Sequence, residues 1–264
     1  MQNQQSLGLV VEGNSTSSAI LRLPSIAEEL GPIKSGALRV ARRVSNFLRG
    51  GYPVQNYADL QAARLILLRV PDAAVPRVVD ELCSSDLVLK DLAFALCDTY
   101  MDASVLRPLQ ARGASVASVL SVHSFRRSWF VIEGQLGAVR QLRRFLDRGD
   151  ARAFELRPGT KPLYFAAQML TTVLPLNLFA TAQKALRTAG ISGNELNDLL
   201  QELSFEMFRA FSNGARVPSA AFQTGPLRAV GGAYLAILRT DYPQIAFMLE
   251  QQFRCALGTE RVEE

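Results

Sequence analysis

The sequence predicts an α/β protein in which a mostly parallel, doubly wound sheet is followed by an all-helical region. Over the first part of the chain, short aliphatic and β-branched runs alternate with segments of helical periodicity, and the connecting loops are short. This alternation fades after Gly134, and no convincing strand follows residue 157. We therefore predict an α/β domain over residues 1–157 and a helical domain over residues 158–264.

The individual elements follow from apolar runs bounded by glycine, proline or polar turns. LGLVVE and RLILLRV are continuous apolar runs, which indicates strands buried on both faces. The predicted strands cover, in order, residues 7–12, 32–36, 52–54, 64–70, 86–92, 115–122, 129–133 and 153–157. The predicted helices of the α/β domain cover residues 17–30 (broken at Pro24), 37–48, 75–83, 104–112 and 138–147, with a helical turn over 59–62. Helical patterns over 164–189, 193–212 and 227–257 make up the second domain.

The composition is typical of a soluble globular protein. The hydrophobic fraction is 48% and the charged fraction 20%, which suffices for a sizeable core. The start, MQNQQS, is polar and does not resemble a signal peptide. Cys83, Cys97 and Cys255 lack metal-ligand spacing, so we expect free thiols in a reducing cytoplasm and no metal. The uncharged run Pro162 to Gln183 is long enough to span a bilayer, but its polar residues favour a helix buried in protein, without membrane insertion.

The net charge of +5 is compatible with two interpretations. The positive charge is mostly arginine, in clusters at helical spacing such as Arg39, Arg42 and Arg43. Such clusters occur in nucleic-acid-binding proteins, but also on solvated helix faces. No aromatic residues interleave with them as a stacking surface for bases requires. We therefore favour solvated faces and predict no nucleic-acid partner.

The turn after the first strand has the outline of a dinucleotide-binding turn, in which a strand, a glycine-rich turn and a helix follow one another. Such turns carry three glycines, and here only Gly13 is present, at the position of closest approach to the pyrophosphate. Asn14, Ser15 and Thr16 follow, where a helix N-terminus favours an anion. One of these residues could instead be a simple N-cap, and Glu12 would repel a diphosphate. The sequence is compatible with a turn that binds a dinucleotide and with one that does not.

The end of the second predicted strand distinguishes the two nicotinamide dinucleotides. A site specific for NAD carries an acid there, which binds the ribose hydroxyls. This chain instead has Lys34, Ser35 and Arg39 and no acid. A basic turn with a hydroxyl suits a 2′-phosphate, so we predict NADP, with ordinary surface charges as the alternative.

Several segments together resemble a known family. In order along the chain these are LGPIKSGALRVARRVSNFLRGG, LILLRVPDAAVPRVVDEL, ASVLRPLQARGASVASVLSVHSF, FVIEG, KPLYFAAQMLTT and TGPL. They resemble bacterial proteins that join a Rossmann-like domain to an uncharacterised helical C-terminal domain. Those proteins are related to pyrroline-5-carboxylate reductase, 6-phosphogluconate dehydrogenase and coenzyme-F420-dependent NADP oxidoreductases. The resemblance implies an NADP-dependent oxidoreductase with a small carbonyl, imine or hydroxy substrate in an interdomain cleft, and a homodimer formed through the C-terminal helices.

The resemblance also assigns residues. It places Pro71 and Asp72 beside the nicotinamide half of the cofactor, and His123, the single histidine, in a segment after a late strand. Lys161 and Tyr164 match a K-x-x-Y-H-A-A motif at the start of the interdomain helix. In the related dehydrogenases a lysine in that region transfers protons, and burial can lower its pKa for that task. The resemblance therefore implies that Lys161, His123 and Tyr164 are catalytic, whereas each also has an ordinary structural interpretation.

Three departures from the family pattern weaken the prediction of catalysis. The histidine expected after Tyr164 is Phe165, the serine–glycine pair expected after the fifth strand is absent, and two fingerprint glycines are missing. The alternative is therefore a non-catalytic descendant, a metabolite-binding or scaffolding homodimer that keeps the fold without turnover.

Overall fold

The structure is a computed structural model of the 264-residue chain, and it describes residues 6–13, 18–122, 128–214 and 225–256. The chain divides into two compact units, Met1–Ala166 and Ala167–Glu264. The first contains the sheet, and the second is helical throughout its described residues. The predicted fold class, an α/β sheet followed by a helical region, is confirmed.

The described part of the first unit is built on an eight-stranded sheet with the order β3-β2-β1-β4-β5-β6-β7-β8. Neighbouring strands are parallel except for β6 and β7, which are antiparallel. The strand order reverses between β1 and β4, which is the point where open α/β sheets bind ligands at the carboxyl ends of their strands. The strands are β1 (Leu7–Val11), β2 (Leu30–Ser35), β3 (Tyr52–Val54), β4 (Leu65–Arg69), β5 (Ala93–Cys97), β6 (Ser115–Val122), β7 (Trp129–Gly134) and β8 (Arg152–Glu155).

Helices connect most of these strands and form the second unit. In the described residues the α-helices are α1 (Ile26–Glu29), α2 (Leu38–Leu48), α3 (Val75–Ser84), α4 (Arg107–Ala111), α5 (Leu136–Arg148), α6 (Lys161–Gln168), α7 (Leu174–Thr188), α8 (Gly193–Ser212), α9 (Gly225–Asp241) and α10 (Pro243–Ala256). Short 3-10 segments cover Ile20–Arg22, Tyr57–Ala62, Asp72–Ala74 and Ala103–Leu106.

The central strands are buried on both faces, which explains why their sequences are continuous apolar runs. Along β4, Leu65 and Leu67 belong to one apolar cluster, and Ile66 and Leu68 belong to the cluster on the opposite face. Helices α2 and α5 contribute to the first cluster, and α3 and α4 to the second. A parallel sheet covered by helices on both faces requires such runs.

The fifth strand is displaced from its predicted position. We predicted a strand over residues 86–92, but that segment is a loop and β5 follows it. Asp91 adopts a left-handed φ of 67°, which ends any extended run there. Leu87 and Leu89 are nevertheless buried in the core, whereas Val88 between them is exposed, so a loop here shows the alternating burial of a strand.

The helix predicted over residues 17–30 is wrong in its described part. Only the 3-10 segment and the four-residue α1 form there, and Leu30 already begins β2. Leu23 is extended (ψ 141°), as expected for a residue before proline, and Pro24 offers no backbone N–H. The first described α-helix after Gly13 therefore begins at Ile26, and the predicted start of the helix at Ser17 lies outside the described residues.

The second unit begins within a long apolar helix. Lys161–Thr188 is continuous through a π-helical segment, Met169–Val173, and is the one helix in the described residues whose length and composition would allow it to cross a membrane. Pro175 lacks the N–H that would bond one turn back, and the π segment lies directly before it. We predicted that this run is buried in protein, but within this chain its most apolar 18-residue stretch is 0% buried.

Candidate cofactor and active site

Gly13 follows β1 at the point where the strand order reverses. Its φ of 68° lies in the left-handed region, where glycine is readily accommodated. A Cβ at this position would lie 3.5 Å from Pro71 Cγ, an ordinary van der Waals distance. The structure therefore brings together two residues predicted to contact the cofactor, the turn glycine and Pro71. Four other predicted site residues, Asn14, Ser15, Thr16 and His123, lie outside the described residues.

An ion pair neutralises the carboxylate that we expected to repel a diphosphate. Arg77 Nη2, from α3, lies 2.5 Å from Glu12 Oε2, and Arg77 also pairs with Glu81. The Tyr57 hydroxyl donates to Glu81 Oε2 at 2.7 Å. Burial, reinforced by this hydrogen bond, raises the pKa of Tyr57. Although burial opposes it, hydrogen bonding to Tyr57 and Arg77 lowers the pKa of Glu81.

The residues predicted to bind a 2′-phosphate lie at the end of β2 and the start of α2. Lys34 Nζ donates to the Ser35 carbonyl at 2.7 Å and lies 4.7 Å from the centre of the Tyr57 ring. The side chain of Ser35 is buried, whereas Arg39 is exposed in the first turn of α2. The two cations thus flank the end of β2.

A second ion pair lies on the other side of the switch point. Arg69, the last residue of β4, places its Nε 3.2 Å from Oδ2 of Asp98, which directly follows β5. Ser18, just beyond the Gly13 turn, donates its hydroxyl to the same oxygen. The Arg69 Nε–H is buried and forms no hydrogen bond, although this oxygen lies 3.2 Å away. Sequence reasoning missed both charged residues, although an arginine that ends an apolar strand was a visible signal.

Lys161 is the most unusual of the predicted catalytic residues, since its side chain is 2% exposed. It begins α6, and its Nζ donates to the Met101 carbonyl at 2.5 Å and to Ser118 Oγ, in β6, at 3.0 Å. An ammonium group has three N–H donors, so these two acceptors leave one donor available. Burial lowers the pKa of Lys161, and the negative charges of Glu133, Asp102 and Asp72 act against that shift.

Glu133, in β7, is the buried counter-charge of this lysine. Its side chain is 2% exposed, and its Oε1 accepts the Ala103 N–H at 2.6 Å and the Ser118 hydroxyl at 3.1 Å. The Ser118 proton is therefore directed toward Glu133, and its lone pair accepts from Lys161. Lys161, Ser118 and Glu133 form a buried chain that runs from a cation through a hydroxyl to an anion. Sequence reasoning found the lysine and missed the other two.

Tyr164 and Asp72 complete the described part of the predicted site. Tyr164 is half-buried, which raises its pKa, and its ring lies 5.5 Å from that of Phe165. Phe165, which replaces the histidine of the family motif, also packs on Tyr100 at 5.0 Å. Asp72 begins the 3-10 segment after Pro71 and acts electrostatically on Lys161. Among the described residues, no group of three or more histidine, cysteine or carboxylate side chains is arranged to hold a metal ion.

Comparisons with known proteins test the resemblance. Residues 128–229 match the model of a family described as a domain of unknown function, DUF2520. A comparison with curated protein sequences gives no match. Among solved structures, the chain is similar to a Bacteroides fragilis protein provisionally named an NADP oxidoreductase, with 14% identity, a TM-score of 0.74 and coverage of 98% of this chain and 99% of that one.

Two further structures have a nicotinamide cofactor in their descriptions. A reductive aminase from Aspergillus terreus in complex with NADPH and ethyl-5-oxohexanoate has 15% identity and a TM-score of 0.66, covering 97% of this chain and 94% of that one. An imine reductase from Myxococcus stipitatus in complex with NADP+ has 13% identity and a TM-score of 0.64, covering 97% and 95%. The resemblance is confirmed at the level of fold. The chain has a Rossmann-like sheet followed by a helical region.

Proposed function

We propose that the protein is an NADP-dependent oxidoreductase that acts on a small carbonyl, imine or hydroxy substrate. The observation that carries the proposal is the left-handed glycine at the end of β1, at the switch point of the sheet. Lys34 and Arg39, with no acidic residue between them in the sequence, suit the 2′-phosphate of NADP. The names of the similar structures, which include NADP oxidoreductases and imine reductases, agree with this choice.

The residues at the switch point fit a dinucleotide. Gly13 would contact its pyrophosphate, Lys34 and Arg39 its 2′-phosphate, and Pro71 and Asp72 would lie beside its nicotinamide half. When bound, NADPH supplies a hydride to the substrate carbon. Lys161 would hold the proton that the substrate oxygen or nitrogen takes up, because its pKa is lowered by burial and one of its N–H donors is available. His123 and Tyr164 remain proposed participants in proton transfer.

Titration with NADPH tests the cofactor proposal directly. We expect nicotinamide fluorescence to report binding with a Kd on the order of micromolar, and the melting temperature to rise with NADPH concentration. NADH should bind more weakly, because it lacks the phosphate that Lys34 and Arg39 would pair with. Absence of any response to either dinucleotide at about millimolar concentration would contradict the proposal.

A non-catalytic metabolite-binding or scaffolding protein is the second candidate. Two observations favour it: Lys161 is almost fully buried, and Phe165 replaces an imidazole. It predicts that neither dinucleotide binds, so the same titration distinguishes the two candidates. The free Cys83 and the buried, free Cys97 agree with a cytoplasmic location for either one.

We also propose that the protein is a homodimer formed through its C-terminal helices. Large apolar side chains of the long helix are exposed, among them Leu170 (63%), Leu176 (62%) and Phe179 (39%). A second copy would cover them with an equivalent surface, since paired helices bury apolar stripes against one another.

Leu176→Glu is expected to convert the dimer to a monomer at about micromolar concentration, because a buried, unpaired carboxylate opposes association. Sedimentation velocity measures the change. Gln110→Glu, which adds the same charge at an exposed position of α4, should leave the dimer intact. A wild-type protein that is monomeric, or that binds lipid vesicles in place of a second copy, would contradict the dimer.

A further inference from the structure

The sequence of the Gly13 turn lacks two of the three glycines that usually lie against the pyrophosphate of a dinucleotide. One of three fingerprint glycines is present, and the first described α-helix after the turn has four residues. In a typical site, a helix that begins beside the turn supplies free N–H groups and the positive end of its dipole. A diphosphate bound here would be stabilised by positive charge from side chains near the turn.

Two arginines are positioned to supply that charge. Arg69 is the partner of Val11 in the pairing of β4 with β1, and Glu12, directly before Gly13, donates its backbone N–H to the Arg69 carbonyl at 3.2 Å. Arg77 reaches the same residue by its side chain, through the 2.5 Å contact with the Glu12 carboxylate. A Cβ at Gly36, just after β2, would lie 3.8 Å from that carboxylate, so the Glu12–Arg77 pair lies beside the ends of both strands.

Neither arginine has used its hydrogen-bonding capacity fully. The Arg69 Nε–H is buried without a hydrogen bond, although its side chain keeps 19% exposure. Arg77 is 53% exposed, and its two described partners are carboxylates with which a phosphate would compete. A guanidinium group has five N–H donors and binds a phosphate by two parallel hydrogen bonds. The Arg69 Nε–H makes no hydrogen bond, although Asp98 Oδ2 lies 3.2 Å away, and it is therefore a donor that a phosphate oxygen would satisfy.

We propose that Arg69 and Arg77 bind the pyrophosphate of the dinucleotide and so compensate for the missing fingerprint glycines. Without ligand, Asp98 and Glu12 pair with the two guanidinium groups and keep them beside the turn. On binding, phosphate oxygens replace these carboxylates as partners. This inference rests on the proposed function, since it assigns residues to the same cofactor site.

The test compares ADP with NADPH as ligands of the full-length protein, by isothermal titration calorimetry. ADP contains a diphosphate but neither a 2′-phosphate nor a nicotinamide, so it isolates the contribution of the two arginines. Arg77→Gln is expected to raise the Kd of both ligands about tenfold or more and to weaken its dependence on salt. Arg140→Gln, which removes an exposed arginine of α5, is the charge-matched control and should leave both values unchanged.

Glu12→Gln tests the same assignment in the opposite direction, since it is expected to tighten binding. It removes the carboxylate that competes for Arg77, so ADP and NADPH are expected to bind several-fold more tightly. Asp98→Asn does the same for Arg69, and asparagine tolerates the left-handed φ of 53° at this position. Loss of this gain in Glu12→Gln combined with Arg77→Gln would assign the tighter binding to the freed arginine, since removal of the Glu12 charge alone also reduces repulsion of a diphosphate.

The outcomes separate this inference from the proposed function. If the wild-type protein binds neither ligand, both are overturned. If it binds NADPH but Arg77→Gln has the affinity of the Arg140→Gln control, or Glu12→Gln binds more weakly, only the assignment of the arginines is overturned. Arg69→Gln supplies a further comparison, and because Arg77 is largely exposed the test does not depend on whether the Arg69 variant folds.

Discussion

Glu133→Gln is expected to lower the free energy of unfolding by about 3–5 kcal/mol at pH 7. Among the negative charges that act against the lowering of the Lys161 pKa by burial, this carboxylate has the largest effect. It also accepts hydrogen bonds from the Ala103 N–H and the Ser118 hydroxyl. Glutamine keeps the shape and an acceptor oxygen but not the charge, so the lysine ammonium would stay buried without its main counter-ion. Denaturation in urea, followed by circular dichroism, measures the loss.

A surface variant and a double variant control this experiment. Glu155→Gln removes an exposed carboxylate that pairs with Arg143 on the surface, and it should cost less than about 1 kcal/mol. Glu133→Gln combined with Lys161→Met should recover part of the loss, because no charge then remains buried at that position. A Glu133→Gln variant as stable as the Glu155→Gln control would show that the buried charges are not coupled.

The pH dependence of stability has a defined sign. Because burial lowers the pKa of folded Lys161 below the value of about 10.4 in an unfolded chain, the unfolded state binds more protons between these two pKa values. Stability should therefore rise with pH through that window. Loss of the Glu133 charge lowers the folded pKa further, so in Glu133→Gln the rise should begin at lower pH. Asp102 and Asp72 still face the lysine in the variant and limit the change.

Local sequence patterns predict most of this fold, because strands buried on both faces require continuous apolar runs. The prediction was wrong where residues outside strands and helices bury apolar side chains and so show the same apolar pattern. Leu87, Val88 and Leu89 form an apolar run like that of a strand, yet they are loop residues, and the two leucines pack against the core. The helix predicted through Pro24 had a plausible apolar face. In the structure a 3-10 segment and one turn of α-helix bury the apolar residues of that segment instead.

The candidate site could be predicted only in part, because its interactions join distant segments. Lys161 was visible as a motif residue, but Ser118 lies 43 residues away, and nothing local to either residue indicates their hydrogen bond. Glu133 ends an apolar strand, and its burial follows from the position of β7 inside the sheet. The Glu12–Arg77 pair likewise depends on the placement of α3 beside the end of β1. Charged residues within apolar runs are the local signal that would have directed attention to these positions.

Lys161→Met is expected to lower kcat about 10²–10⁴-fold for reduction of a carbonyl or imine substrate, if the proposed oxidoreductase function holds. In that direction the substrate carbon gains hydride from NADPH, and its oxygen or nitrogen gains a proton, which the lysine supplies. The Kd for NADPH should change little, because Lys161 is not among the proposed phosphate ligands. Stopped-flow measurement of NADPH oxidation at several pH values gives both quantities. In the wild type, kcat should fall as the pH rises through the lowered pKa of Lys161, since the protonated amine is the active form.

Lys161→Arg separates proton transfer from structural support. Arginine keeps the positive charge opposite Glu133 and can donate to Ser118, but its pKa above about 12 prevents it from releasing a proton. If the lysine transfers the proton, Lys161→Arg should recover stability relative to Lys161→Met and still lack turnover. If Lys161→Arg restores kcat, the positive charge at this position has a structural role, in which it stabilises the contact between α6 and the sheet. Proton transfer would then have to be assigned to another residue, and the buried chain from Lys161 through Ser118 to Glu133 would be a structural connection.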